Sequence, residues 1–130
     1  MKKKGTYLVP TRMAAWWSSV HADGYPPAIA KKARAIGDAH RTMMREALKI
    51  GVPIAFGTDS GVSPHGQNAH EFALMTEAGM TPAAALLSAT RDAAHLLGVD
   101  EETGRLAVGL SAATCVGLIE VIASGGNAAI

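Results

Sequence analysis

Apolar and polar positions change period several times along this chain, and each change marks an element. Thr6-Tyr7-Leu8-Val9 is a short β-favouring run flanked by Gly5 and stopped by Pro10. Residues 16–27 show no steady period and contain Asp23-Gly24 and Pro26-Pro27, which predicts a loop. From residue 28 to residue 49, Ile29, Ala33, Ile36, Met43 and Ala47 recur at helical spacing, with Lys31, Arg34, Asp38, Arg41 and Arg45 largely on the other side. Gly51 stands where a helix-terminating glycine belongs. The next run, Val52-Pro53-Ile54-Ala55-Phe56, lacks polar alternation, as a strand covered on both faces would. A helical stretch over 70–78 ends at Gly79, and Thr81-Pro82 reads as an N-cap followed by proline at the first helical position. Leu86, Ala89, Ala93, Leu96 and Leu97 give that helix its apolar face, and Gly98 closes it.

Strand, loop, long helix and strand in that order form the βαβ signature of a parallel sheet. Two parallel strands do not close a sheet, and parallel strands need cover and neighbours. The pattern therefore predicts an α/β fold of which this chain supplies a part. Open strand edges and an uncovered helix face also predict self-association or aggregation of the isolated chain. Beyond Gly109, residues 110–130 are small, apolar and almost uncharged, which fits either a strand or a disordered tail. There is no internal repeat.

Composition narrows the class. With 130 residues, 48% hydrophobic and 18% charged, the chain has the length of one ordinary domain and is too apolar to be wholly disordered. Twelve basic against eleven acidic residues give no global electrostatic reason to bind nucleic acid. The run Met1-Lys2-Lys3-Lys4 is short and reads as a solvated terminus. Much of the apolar content is alanine, which buries little area per residue. Cys115 stands alone, so neither an intramolecular disulfide nor a cysteine metal cluster is available, and its apolar setting reads as inert. No stretch has signal-peptide character or the roughly 20 apolar residues of a membrane span. A cytoplasmic location without membrane contact is expected.

Candidate chemistry concentrates after the second strand. Asp59 lies in the turn Gly57-Thr58-Asp59-Ser60-Gly61, at the strand end where parallel α/β folds build active sites. A carboxylate there can hold a divalent metal or take a proton from an activated water; equally, it can cap the following turn. His65, in Ser63-Pro64-His65-Gly66, could meet a substrate carboxylate or a metal, or stand exposed with no role. His40 and His70 read as facing solvent or a neighbouring element, and His95 as a satisfied packing residue. No histidine pair has HxH or HExxH spacing, so the chain holds no complete metal site of its own. Ser60 and Ser63 lie outside any G-x-S-x-G, which argues against a serine nucleophile.

The same segments resemble the last barrel strands of the amidohydrolase superfamily, in its imidazolonepropionase-like and Xaa-Pro dipeptidase-like branch. The resemblance rests on Gly5-Thr6-Tyr7-Leu8-Val9-Pro10-Thr11, Ile54-Ala55-Phe56-Gly57-Thr58-Asp59-Ser60-Gly61, Pro64-His65-Gly66 and Glu71-Phe72. Further on it includes Gly79-Met80-Thr81-Pro82, Ala89-Thr90, Ala93-Ala94, Leu97-Gly98 and Gly104-Arg105-Leu106-Ala107-Val108-Gly109. It implies a C-terminal fragment of a (β/α)8 TIM barrel over residues 1–109, about the last two strands with their helices, followed by an atypical apolar tail at 110–130. It also implies one or two divalent metals, zinc, and a metal-activated water that attacks an amide, a dipeptide-like substrate or a cyclic amide. Asp59 matches the aspartate that binds metal and shuttles the proton; His65 matches a loop histidine near substrate. The HxH motif, the bridging lysine or glutamate and two ligand histidines belong upstream of Met1. The tail lacks the family's Ala-Asp-Leu strand, as a shifted reading frame or aberrant gene end would produce.

Two classes of function follow. The first is a C–N hydrolase, present here as a fragment inactive alone. The second is a non-catalytic fragment or interaction module that associates with another chain or with itself. Met43-Met44 and Leu86-Leu87 suit such an interface or ordinary packing. A nucleotide-binding domain is disfavoured, since neither G-x-G-x-x-G nor a P-loop is present.

Overall fold

A computed structural model describes residues 2–111 of this chain. Cys115 and all but the start of the apolar tail lie outside the described residues. The elements are helices, in order α1 (Arg12–Val20), α2 (Pro27–Lys49), α3 (His70–Glu77), α4 (Pro82–Ala89) and α5 (Arg91–Leu97), with 3-10 turns at Lys2–Lys4 and Ala22–Gly24.

The two expected strands come together in parallel, but as one bridge, Leu8 with Ile54, rather than as extended strands. Leu8 N–H donates to the Pro53 carbonyl at 2.9 Å, and Ala55 N–H donates to the Leu8 carbonyl at 3.0 Å. In a parallel register the next rungs would need the N–H of Pro10 on one side and of Pro53 on the other. Proline has none, so the ladder stops in both directions.

Around this bridge Met44 of α2, Ile54, and Met75 and Ala78 at α3 form the central apolar cluster, with Leu8, Leu48, Phe56 and Met80 packed against it. A second small cluster joins Ala22 to Ala30 and Ala33. Gly37, inside α2, faces Ser19 of α1 so closely that an added Cβ would lie 2.9 Å from the Ser19 Cβ. The small side chains let α1 and α2 approach.

Several expectations need correction. Residues 16–27 are not a loop: α1 runs through both tryptophans and a 3-10 turn follows. Its N-cap residue, Thr11, has φ 43 and makes no side-chain cap, so nothing local announces the helix start. The apolar face read for residues 28–49 is two faces. Ala33 and Ala47 are buried together with Ala30 and Met44, whereas Ile29, Ile36 and Met43 are exposed. The helix after Thr81 breaks at Thr90, whose Oγ1 donates to the Leu86 carbonyl at 3.0 Å, and its buried residues are Ala85, Ser88 and Ala94 while the leucines stay exposed. His95 is exposed and sits 3.5 Å from Asp100 rather than packing inside.

Other signals hold. Thr81 Oγ1 accepts the Ala84 N–H at 3.2 Å, with Pro82 at the first helical position. Gly51 and Gly98 end their helices with φ 69 and 71.

Candidate functional site

The loop between the bridged Ile54 segment and α3 carries Asp59, Ser60, Ser63 and His65, and both its ends are pinned. At its start Phe56 N–H donates to the Ser88 carbonyl at 3.0 Å, joining the segment to the end of α4. The Phe56 and Phe72 rings stack across the base of the loop with centroids 4.4 Å apart. Gly57 follows, and a Cβ there would fall 2.5 Å from Val9 Cγ1, so the two strand segments touch at the point where the loop departs.

Asp59 itself is exposed and holds φ 54, a left-handed conformation that aspartate tolerates better than most residues. Its carbonyl accepts Val62 N–H at 3.3 Å, closing the turn. Among the described residues its carboxylate has no hydrogen bond or ion pair, so the side chain is not consumed by capping.

His65 is also exposed, and its Nδ1 lies 3.1 Å from Ser60 Oγ rather than against Asp59. The sequence-proposed pair is therefore on one loop without a bond between its members. Among the described residues no third group orients the His65 imidazole, as a nucleophile with its base would require. Ser63 is buried with an unpartnered Oγ, as are the Oδ1 of Asn68 and Nε2 of His70 on the same stretch.

At the far end of the loop lies a charged contact that sequence reasoning missed. Glu71 is fully enclosed, and its Oε1 and Oε2 accept the N–H groups of Arg12 at 3.0 Å and Met13 at 2.5 Å. A carboxylate thus caps α1 from a position 59 residues away. The Arg12 side chain returns the contact: Nη1 donates to the Leu74 carbonyl, and Nη2 lies 3.8 Å from Glu77. Burial pushes the Glu71 carboxyl up to about 7, against the opposing N–H bonds and the Arg12 charge. Burial likewise lowers the Arg12 pKa, with Glu77 and then Glu71 opposing. The only local hints were a glutamate among Phe72, Leu74 and Met75 and an arginine directly behind Pro10-Thr11.

A cleft of about 210 Å³ lies among Arg12, Trp16, Ser19, Gly37, Asp38, Arg41 and Glu77. Its charges are paired internally: Arg41 meets Asp38 at 2.6 Å and Glu77 at 3.4 Å. None of its residues comes from the Asp59 loop. Among the described residues no group of three or more His, Cys, Asp or Glu side chains could hold a metal ion. Among the described residues, Asp59 and its surroundings therefore do not make up a complete metal site. No helix among the described residues is long and apolar enough to cross a membrane.

Residues 1–116 match the profile of the Amidohydrolase family, and the chain belongs to that family. It is 35% identical over 115 residues to an ochratoxinase of Aspergillus niger, covering 86% of this chain and 24% of that protein. The chain thus spans about a quarter of the curated relatives it matches. Its fold matches a crystal structure of a Xaa-Pro dipeptidase with bound methionine in the active site, at TM-score 0.81 and 37% identity, over 86% of this chain and 28% of that one. A crystal structure of an uncharacterized protein matches at TM-score 0.74 and 24% identity, over 97% of this chain and 33% of the other, and supports the fold alone.

Proposed function

We propose that this chain is the C-terminal part of a cytoplasmic, metal-dependent hydrolase that cleaves a C–N bond in a small amide, dipeptide-like or cyclic substrate. The observation that carries the reading is Asp59: an exposed carboxylate with no partner among the described residues, just beyond the bridged strand end, in a chain of the amidohydrolase family. The relatives support the substrate class, one being named a Xaa-Pro dipeptidase and the other an ochratoxinase. Residues 1–109 would be the barrel part and residues 110–130 a tail outside it.

Asp59 would take the proton of the attacking water as its oxygen bonds to the carbonyl carbon. When the C–N bond breaks, the same proton passes to the leaving nitrogen. A divalent metal, zinc by family resemblance, supplies the acidity of that water when the fold is whole. Asp59 is one donor toward it, and the other donors would come from outside this chain. His65, on the same loop, would meet the substrate.

The test compares the chain alone with a barrel completed by the missing segments. The chain alone is expected to retain no stoichiometric metal after dialysis and to show negligible amide hydrolysis. In the completed barrel Asp59→Asn should lower turnover by about 10²–10⁴-fold, the usual worth of a positioned proton acceptor. Unchanged turnover would overturn the assignment.

A second reading, a non-catalytic module that works by association, is favoured by one feature: the exposed Ile29, Ile36 and Met43 on α2. Full turnover by the isolated chain would exclude it.

A further inference from the structure

α1 and the first half of α2 form a wall above the bridged segments. As the crossover between two parallel segments, α2 runs antiparallel to them, and Met44 on its buried face clusters with Ile54. Further from the bridge on the same face, Gly37 meets Ser19 and the Ala15 carbonyl of α1, and Ala30 and Ala33 meet Ala22. From Met44 back to Ala30 the helix rises about 21 Å. That rise is on the end from which the Asp59 loop leaves, because α1 follows the Leu8 segment as the loop follows the Ile54 segment. Gly37 and Met44 lie within about 20° of each other round α2, so α1 stands on the strand side of that helix. Trp17, midway in sequence between Ala15 and Ser19, falls on the opposite side of α1 from α2. Its ring stacks on His21, with centroids 4.0 Å apart and planes at 29°. The Trp17 carbonyl can only accept, so His21 Nδ1, 2.9 Å away, donates to it and holds the imidazole against the indole. Trp17 is half-buried and His21 exposed, and neither belongs to the apolar clusters of the core. The neighbouring Trp16 packs on His70 at 4.4 Å, which sets α1 against the end of the Asp59 loop.

We infer that the Trp17–His21 stack is a specificity platform that receives a flat aromatic ring of the amide substrate. This rests on the reading of the Asp59 loop as the hydrolytic site. The two rings are fixed in advance by the hydrogen bond between them, and they overhang the strand end that carries Asp59. An aromatic ring set against such a stack gains more than its burial alone supplies, a preference of about 2–10-fold over a saturated ring of the same size. Selection here is by the π-face rather than by charge. Asp23, the acid next along the chain, is engaged by Arg34, so a cationic group finds no free counter-ion beside the stack.

The experiment sets the full 130-residue chain in the completed barrel and compares two probes, phenylalanyl-proline and cyclohexylalanyl-proline. They are alike in size and differ in the π-face. The wild-type barrel is expected to favour the phenyl probe about 2–10-fold in kcat/KM. With Asp59→Asn stopping turnover, the same preference should appear in Kd by calorimetry. Trp17→Leu and His21→Leu should each remove the preference and leave the cyclohexyl values nearly unchanged, whereas Trp17→Phe should keep it. His21 is exposed, so His21→Leu carries the test should Trp17→Leu fail to fold. Equal values for the two probes in wild type, or a preference that survives both leucine variants, would overturn the inference. So would a loss that falls alike on both probes, as a merely structural role requires, or no binding of either. Ring-selective binding without hydrolysis would leave the platform standing and count against the hydrolase reading instead.

Discussion

Glu71 accepts the Arg12 N–H at its Oε1 at 3.0 Å, and the Arg12 guanidinium ties back to the same helix by donating to the Leu74 carbonyl, three residues further along α3. The contact fastens the residue after the first strand segment to the helix after the candidate loop. It carries a pH signature. The folded carboxyl is pushed up to about 7 from an ordinary 4.5, mainly by burial. Below the ordinary value both folded and unfolded chains hold the proton. As pH rises, the unfolded chain releases it first and the folded chain holds on until about 7. Stability should therefore be greatest in acid, fall between the two values and level off above, by up to about 3 kcal/mol. Urea midpoints at pH 5 and pH 8 check this; Glu71→Gln should flatten the difference, and a wild-type midpoint that rises with pH would contradict it.

Gly57 cannot take a side chain without moving Val9. Its Cβ would meet Val9 Cγ1 at 2.5 Å, and valine, branched at Cβ, has few rotamers to escape to. Gly57→Ala should cost about 1–3 kcal/mol in urea unfolding. Adding Val9→Ala should recover a large part of that loss, and a purely additive double variant would show that the two residues do not meet.

Thr81 caps α4 through the Ala84 N–H. Thr81→Ala should cost about 1 kcal/mol, and Thr81→Ser much less, because the serine hydroxyl can accept the same bond. Thermal unfolding of the two variants side by side is sufficient.

Asp59 is expected to matter for chemistry and not for folding. Its carboxylate is exposed and unpaired among the described residues, and asparagine also accepts a positive φ. Asp59→Asn should therefore leave the unfolding midpoint of the chain within about 0.5 kcal/mol of wild type. A larger loss would mean that the carboxylate is a structural cap after all.

What the amino-acid sequence determines by itself is local. The period of 28–49, the Thr81-Pro82 start, and the stops at Gly51, Gly79 and Gly98 depend on backbone conformation and near-neighbour hydrogen bonds. The run of motifs from Gly5 to Gly109 likewise marks the family. Tertiary structure decides what depends on distant partners. α1 starts without a local cap because Glu71 supplies it from across the fold. The strands shrink to one bridge because Pro10 and Pro53, each harmless alone, face the same ladder. On α4 and α5 the larger apolar residues point outward and the small ones inward, and α2 meets α1 at Gly37, since close helix approach selects alanine, glycine and serine at the contact. Periodicity reports that an apolar face exists; only packing shows whether this chain or another covers it.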